Sequence, residues 1–135
     1  MLRQLSCAIT AVVGCVTIAV AQQATGAVGT WNATTMMGPK DSVVAVYVLK
    51  VAADGKSATI KFPGRDPIPT RVVVNAGDSI VTETGPYPSI LRPGQTVTLL
   101  RSVGHYSGNT MTGTFEAKYS NGDVVKGKSK ARRAK

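Results

Sequence analysis

The chain has 135 residues, is 43% hydrophobic and 5% aromatic, and carries a formal net charge of +9 at pH 7. This length supports one self-sufficient domain and excludes a second. Because the only histidine, His105, has no cysteine or carboxylate pair beside it, the sequence excludes a recognisable metal site or catalytic triad. We therefore expect a protein that is not an enzyme and that holds no metal and no cofactor.

The first 21 residues have the pattern of a cleaved secretory signal peptide. Arg3 gives a minimal basic start, residues 5–20 are apolar apart from Ser6 and Thr17, and Ala19-Val20-Ala21 places small residues at the cleavage site. The pattern predicts a signal-peptide helix over residues 1–21. It predicts a secreted or periplasmic protein whose mature chain has no membrane span.

A second interpretation of the leader stays open. Val12-Val13-Gly14-Cys15 resembles a bacterial lipobox, which would anchor the protein through a lipid on Cys15. Cleavage after Ala21 would instead remove both cysteines, so the mature domain would be held by its core without disulfides. Residues 22–27 are small and polar, and we expect a flexible N-terminus there.

Residues 28–135 are predicted to form one β domain of about eight short strands, each ended by a turn signal. The runs alternate apolar and polar residues or are rich in β-branched residues, and none has helical periodicity. The predicted strands are 28–37, 43–52, 57–62, 70–75, 79–84, 95–103, 110–119 and 124–132. An even-numbered antiparallel meander predicts an all-β, up-and-down barrel, because closure removes the unpaired edges.

Gly29-Thr30-Trp31 opens the first predicted strand. In this motif the chain resembles the calycin-like barrels, a group that includes lipocalins, fatty-acid-binding proteins and avidins. The resemblance implies that Trp31 plugs the closed end of a small secreted barrel. It also implies that a basic residue near the end of the barrel packs across this ring, with Lys130 or Arg132 in a suitable place.

The candidate ligand site is the barrel interior together with one loop. We expect the exported barrel to bind a small apolar or amphipathic molecule in its interior, and an interaction module of the cell envelope is the alternative. Several inward positions in the last two strands are very small, which suits either a filled barrel or a cavity. Loop 85–94 is stiffened by prolines and would cover one end, where Arg92 would bind a carboxylate head group. The predicted ligand-binding residues are Trp31, Met37, Ile60, Phe62, Tyr87, Arg92, Met111, Phe115 and Tyr119.

Positive charge is concentrated at the C-terminus. Only Arg3 lies in the leader, so the mature chain has 15 Lys and Arg against 7 Asp and Glu, and six of the 15 lie in the last ten residues. The predicted partner-binding residues share the outer face of the last strand and are Lys126, Lys128, Lys130 and Arg132.

Two interpretations of these cations stay open. In an interaction module of the cell envelope without an internal ligand, they would bind an anionic component. Alternatively, they would serve solubility and protect an unpaired strand edge. We expect no specific nucleic-acid partner, because aromatic residues that stack on bases are few.

Overall fold

The computed structural model describes residues 26–135, which form a closed β-barrel. The strands of this region are β1 (Gly29–Met37), β2 (Ser42–Val51), β3 (Ser57–Lys61), β4 (Ile68–Ala76), β5 (Ser79–Thr84), β6 (Tyr87–Pro88), β7 (Thr96–Ser107), β8 (Thr110–Tyr119) and β9 (Val124–Arg133). Each strand pairs antiparallel with its neighbours in the order β5-β4-β3-β2-β1-β9-β8-β7, and β5 pairs with β7 to close the barrel. The short β6 is an additional strand beside β7. The predicted all-β, eight-stranded up-and-down barrel is confirmed.

The predicted signal peptide and the lipobox cysteine lie outside the described residues. Of the segment 22–27 assigned to a flexible N-terminus, only Gly26 and Ala27 are described, and Ala27 is fully buried. Within residues 26–135 no helix has the length and apolar character needed to cross a membrane.

Short turns set the register of neighbouring strands. At the β2–β3 turn the Asp54 carboxylate accepts a hydrogen bond from the backbone N–H of Lys56 at 2.9 Å, and Gly55 takes a positive φ of 68°. At the β8–β9 turn the Asn121 side chain accepts from the N–H of Asp123 at 3.0 Å, and Gly122 has a φ of 92°. Such side-chain-to-backbone bonds and the freedom of glycine at positive φ favour tight hairpins at Asp-Gly and Asn-Gly.

The barrel has two ends that differ in their covering. The closed end comprises the start of β1, the β2–β3, β4–β5 and β7–β8 turns, and the end of β9. The loop end comprises the β1–β2 turn, the connection 62–67, the loop 85–95 and the β8–β9 turn. We call residues 85–95 the cover loop.

The small residues of β8 and β9 mark a filled interior. A Cβ atom on Gly127 would lie 2.5 Å from Cε1 of the Phe115 ring, so this ring already occupies the space beside the glycine. A Cβ atom on Gly113 would overlap the backbone carbonyl of Val103 on β7. The sequence did not decide between a filled barrel and a cavity, and the Phe115 ring beside Gly127 belongs to the filled arrangement.

Strand β7 is longer than predicted. It continues through Ser107 instead of ending at Val103, because the pairing of β5 with β7 extends to the pair Ser79 and His105. His105 therefore lies within a paired strand and not at a strand end.

We expect Gly113→Ala to lower the free energy of unfolding by about 2 to 3 kcal/mol, since the added methyl group forces β7 and β8 apart. Thr114→Ala changes an exposed position on the same strand and should cost less than about 1 kcal/mol. Urea unfolding of the two variants measures the difference. Equal midpoints for both variants would contradict the close approach of the two backbones.

Candidate functional site

Trp31 lies at the closed end of the barrel. Its side chain is fully buried, and its indole N–H donates a hydrogen bond to the carbonyl oxygen of Ala27 at 2.9 Å. The guanidinium carbon of Arg133 lies 4.3 Å from the centre of the ring. Trp31 therefore lies buried at the closed end, and the plugging role that the resemblance implies stays a prediction.

The basic residue over Trp31 is Arg133, and the expectation of Lys130 or Arg132 was wrong. Side chains alternate along β9, and the inward positions carry odd numbers, so Lys130 and Arg132 face outward. Arg133 also donates hydrogen bonds to the carbonyl oxygens of Val28 and of Gly26, the latter at 2.8 Å. It thereby ties the last strand to the segment that precedes β1.

The cover loop lies over the other end of the barrel. Tyr87 and Ser89 are buried, and the hydroxyl groups of Ser89 and Tyr119 lie 2.8 Å apart. The backbone N–H of Arg92 donates to the Ser89 hydroxyl at 3.0 Å. Tyr87 also packs against Phe62, with ring centres 6.0 Å apart. These contacts attach the loop to the barrel through both apolar and polar groups.

Two arginines link the cover loop to neighbouring segments, one from the connection 62–67 and one from the loop itself. Arg65 donates to the carbonyl oxygen of Pro88 at 2.8 Å, and Arg92 donates to the Asp123 carboxylate at 2.7 Å. The hydrogen bond from Arg92 holds the pKa of Asp123 below its usual value. Arg92 also lies 4.7 Å from the centre of the Tyr119 ring. The side chain predicted to bind a ligand head group is therefore engaged with a carboxylate of the protein itself.

A small apolar cavity lies beneath the cover loop. Its volume is about 40 Å³, and a second cavity of about 30 Å³ lies deeper in the barrel. Pockets for drug-sized ligands have roughly 300–1,000 Å³, whereas a single water needs only about 10–15 Å³. In this structure the interior has room for a few waters but not for an amphipathic ligand.

The predicted ligand residues divide among these places. Phe62, Tyr87, Phe115 and Tyr119 line the cavity beneath the loop. Ile60 and Met111 line the deeper one. The remaining predicted residues line neither cavity and are Trp31, Met37 and Arg92.

Tyr47 is an interior residue that the sequence did not reveal. It lines both cavities, and its ring centre lies 5.7 Å from that of Phe62. Loss of hydration among the core side chains raises the pKa of Tyr47 to about 12. Strand β2 is apolar on both faces in the sequence, so alternation did not tell which of its residues point inward.

The cations on the outer face of β9 have different surroundings. The Lys126 ammonium lies 3.8 Å from the Glu116 carboxylate, and that of Lys128 lies 3.4 Å from Asp41. Among residues 26–135, no carboxylate lies within 4.0 Å of Lys130 or Arg132. The four predicted partner-binding residues thus separate into two that are paired and two that are not.

One side of the barrel carries compensated charge. Arg71 and Arg101 both contact the Glu83 carboxylate, at 3.3 and 2.9 Å. Arg101 stands opposite Glu116 in the sheet, and Glu116 is the partner of Lys126. Positive and negative side chains therefore alternate across β4, β5, β7, β8 and β9.

Together, strands β1, β2, β3 and β9 carry cations but no acidic residues of their own. We define the cationic wall as the outward faces of β1, β2, β3 and β9. No Asp or Glu stands on these strands, and their cations on this face are Lys50, Lys61, Lys126, Lys128, Lys130 and Arg132. Strand β9 is paired on both sides, with β1 and with β8, so its cations protect no free edge.

His105 has two polar neighbours that the sequence did not place beside it. The hydroxyl of Ser79 lies 3.0 Å from Nδ1 of His105, and the Asp78 carboxylate lies 4.0 Å from the same nitrogen. A triad needs the carboxylate on one ring nitrogen and the nucleophile on the other, which this cluster does not provide. Among the described residues, no three metal-ligating side chains form a group.

No protein-family model matches the chain, and no curated protein or solved structure shows a significant match.

The adjacent pair Arg132 and Arg133 gives a test of the closed end. We expect Arg133→Gln to lower the free energy of unfolding by about 2 kcal/mol, because it removes the contact with Trp31 and charged hydrogen bonds. Arg132→Gln makes the same change of charge on the outer face and should cost under about 0.5 kcal/mol. Thermal unfolding measures both, and a larger effect at Arg132 would contradict the assignment of faces.

Proposed function

We propose that the protein is a non-catalytic, exported interaction module that binds an anionic component of the cell envelope through the cationic wall. The observation that carries this proposal is the pair Lys130 and Arg132. Both are exposed, both lack a carboxylate neighbour within the described residues, and both stand on a strand with no free edge to protect.

The geometry of the wall favours a large, extended anion. Alternate residues of one strand are about 7 Å apart, and neighbouring strands are about 5 Å apart. The cations of β9 therefore form a row, and Lys50 and Lys61 add charge two and three strands away. Unpaired charges on a rigid surface attract a polyanion over a Debye length of about 8–10 Å.

Binding at the cationic wall also requires little loss of conformational entropy and few broken ion pairs. The side chains stand on strands held on both sides by the barrel, so no backbone segment must become ordered on binding. Lys130 and Arg132 have no carboxylate partner to lose, whereas Lys126 and Lys128 would first have to leave theirs. The centre of the binding surface should therefore be Lys130 and Arg132.

We expect Lys130→Gln/Arg132→Gln to weaken binding to dextran sulfate and carboxymethyl dextran by at least about tenfold, and to reduce the slope of log K against log salt by roughly 1 to 2. Lys56→Gln/Lys118→Gln removes the same charge outside the wall and should change affinity less than about threefold. Titration of labelled polymer at several salt concentrations measures both effects. Equal losses in the two double variants, or no binding to either polymer, would overturn the proposal.

A second candidate function follows from the cavity beneath the cover loop. The resemblance to calycin-like barrels implies an internal ligand. The contact between Trp31 and Arg133 supports this resemblance, because a basic residue was expected to pack across the Trp31 ring. Aromatic side chains line the cavity, and the loop over it is held by polar contacts of Ser89, Arg65 and Arg92 as well as by Tyr87 and the pairing of β6 with β7. Movement of the loop would enlarge the cavity for a small apolar or amphipathic ligand. This function ranks second because the cavity has a volume of only about 40 Å³.

The neutral probe N-phenyl-1-naphthylamine tests this second function, since it has no charge for the cationic wall. We expect its fluorescence to rise with the native protein and to be lost in Ala45→Leu, which fills the cavity. Ala76→Leu adds the same volume at an exposed position and should keep the signal. No fluorescence change with the native protein, or an unchanged signal in Ala45→Leu, would contradict an interior site.

A further inference from the structure

The outer face of β1, β9 and β8 carries six hydrogen-bond donors in a regular arrangement. In each of two rows, a cation of β9 stands between a neutral donor of β1 and a neutral donor of β8. The rows are Asn32–Arg132–Thr110 and Thr34–Lys130–Thr112. We call these six residues the donor array.

The donor array lies in one shallow groove of about 530 Å³. Thr110 donates to the carbonyl oxygen of Ser107 at 3.1 Å. The other five side chains make no hydrogen bond within residues 26–135. These five side chains are therefore free to donate to a ligand, and no acidic residue lines the groove.

The shape of each row indicates the chemistry of the ligand. Neighbouring strands are about 5 Å apart, so the row Thr34–Lys130–Thr112 presents three free donors over about 10 Å with the cation in the centre. A carboxylate offers two oxygens in one plane, which a single guanidinium satisfies. A sulfate or phosphate ester offers three oxygens that point in different directions and reach donors on both sides of the cation.

The second row indicates a repeating ligand. The rows are about 7 Å apart along the strands, so of two successive charged groups of an extended polymer one would meet Lys130 with two threonine hydroxyls and the next would meet Arg132 with the Asn32 amide. No aromatic side chain stands on the outward faces of β1, β8 and β9. The aromatic residues of these strands are Trp31, Phe115 and Tyr119, and all three point inward. Single-stranded nucleic acids depend on such rings for stacking, so the surface suits a sugar polymer better.

We infer that the anionic partner is a glycan carrying sulfate or phosphate esters, recognised through the donor array. This inference rests on the proposed function of the cationic wall. It adds that the neutral side chains of β1 and β8 select tetrahedral oxyanions, whereas the cations alone provide attraction to any polyanion.

The neutral donors are tested separately from the charge. Thr34→Val/Thr112→Val removes one hydroxyl on each side of Lys130, keeps the net charge and retains β-branched residues suited to strands. We expect it to weaken binding to dextran sulfate by about tenfold without changing the salt slope. Thr30→Val/Thr114→Val makes the same replacements on the same outward faces outside the array and should change affinity less than twofold.

The probes distinguish the possible partners. Dextran sulfate should bind at least about fivefold more tightly than carboxymethyl dextran of equal charge density, and phosphorylated dextran should behave like the sulfate ester. Equal affinity for ester and carboxylate polymers, or equal effects of the two threonine pairs, would overturn the inference and leave the cationic wall in place. Tighter binding of single-stranded DNA than of dextran sulfate would overturn the choice of a glycan. Failure of the Lys130→Gln/Arg132→Gln test would instead overturn the proposed function.

Discussion

Pairing of the last strand with the first is the constraint on which the rest of the structure depends. It joins Trp31 to Arg133 in register and so brings the two ends of the described chain together at the closed end. Arg133 then satisfies the carbonyl groups of residues 26 and 28, which have no strand partner of their own. The same pairing leaves β9 with no free edge, which is why its outward cations need an explanation other than edge protection.

The interior and the exterior of the barrel give different answers about function. Inside, glycines stand where an aromatic ring or a neighbouring backbone already fills the space, and only small cavities remain. Outside, charge is compensated by Glu83 and Glu116 across β4, β5, β7 and β8, whereas Lys130 and Arg132 on β9 have no carboxylate partner among the described residues. Packing of the core thus explains the residue types at most inward positions. It does not explain why β9 carries two cations without a carboxylate partner.

Much of the fold could be predicted from local patterns, because alternation and turn residues are local properties. The inward and outward residues of β8 and β9 follow directly from strict alternation, and the Asp-Gly and Asn-Gly turns end their strands as expected. Features that depend on distant pairing were beyond the sequence. The contact of Asp41 with Lys128 needs the register of β1 with β9, and the meeting of Asp78 with His105 needs closure of β5 on β7. The choice of Arg133 over Arg132 required only the alternation of the strand, because the sequence already placed Arg132 on the outer face.

The alternating cations of β9 also act during folding. A slip of one residue in the pairing of β9 would exchange its two faces and direct Lys126, Lys128, Lys130 and Arg132 into the barrel. No acidic side chain among the described residues points into that interior, so each buried ammonium or guanidinium would lose its hydration without a compensating partner. A slip of one residue is therefore disfavoured, because it would bury several charged side chains without partners at the same time. The strand that gives the surface its charge therefore also disfavours a slip of one residue when the barrel closes.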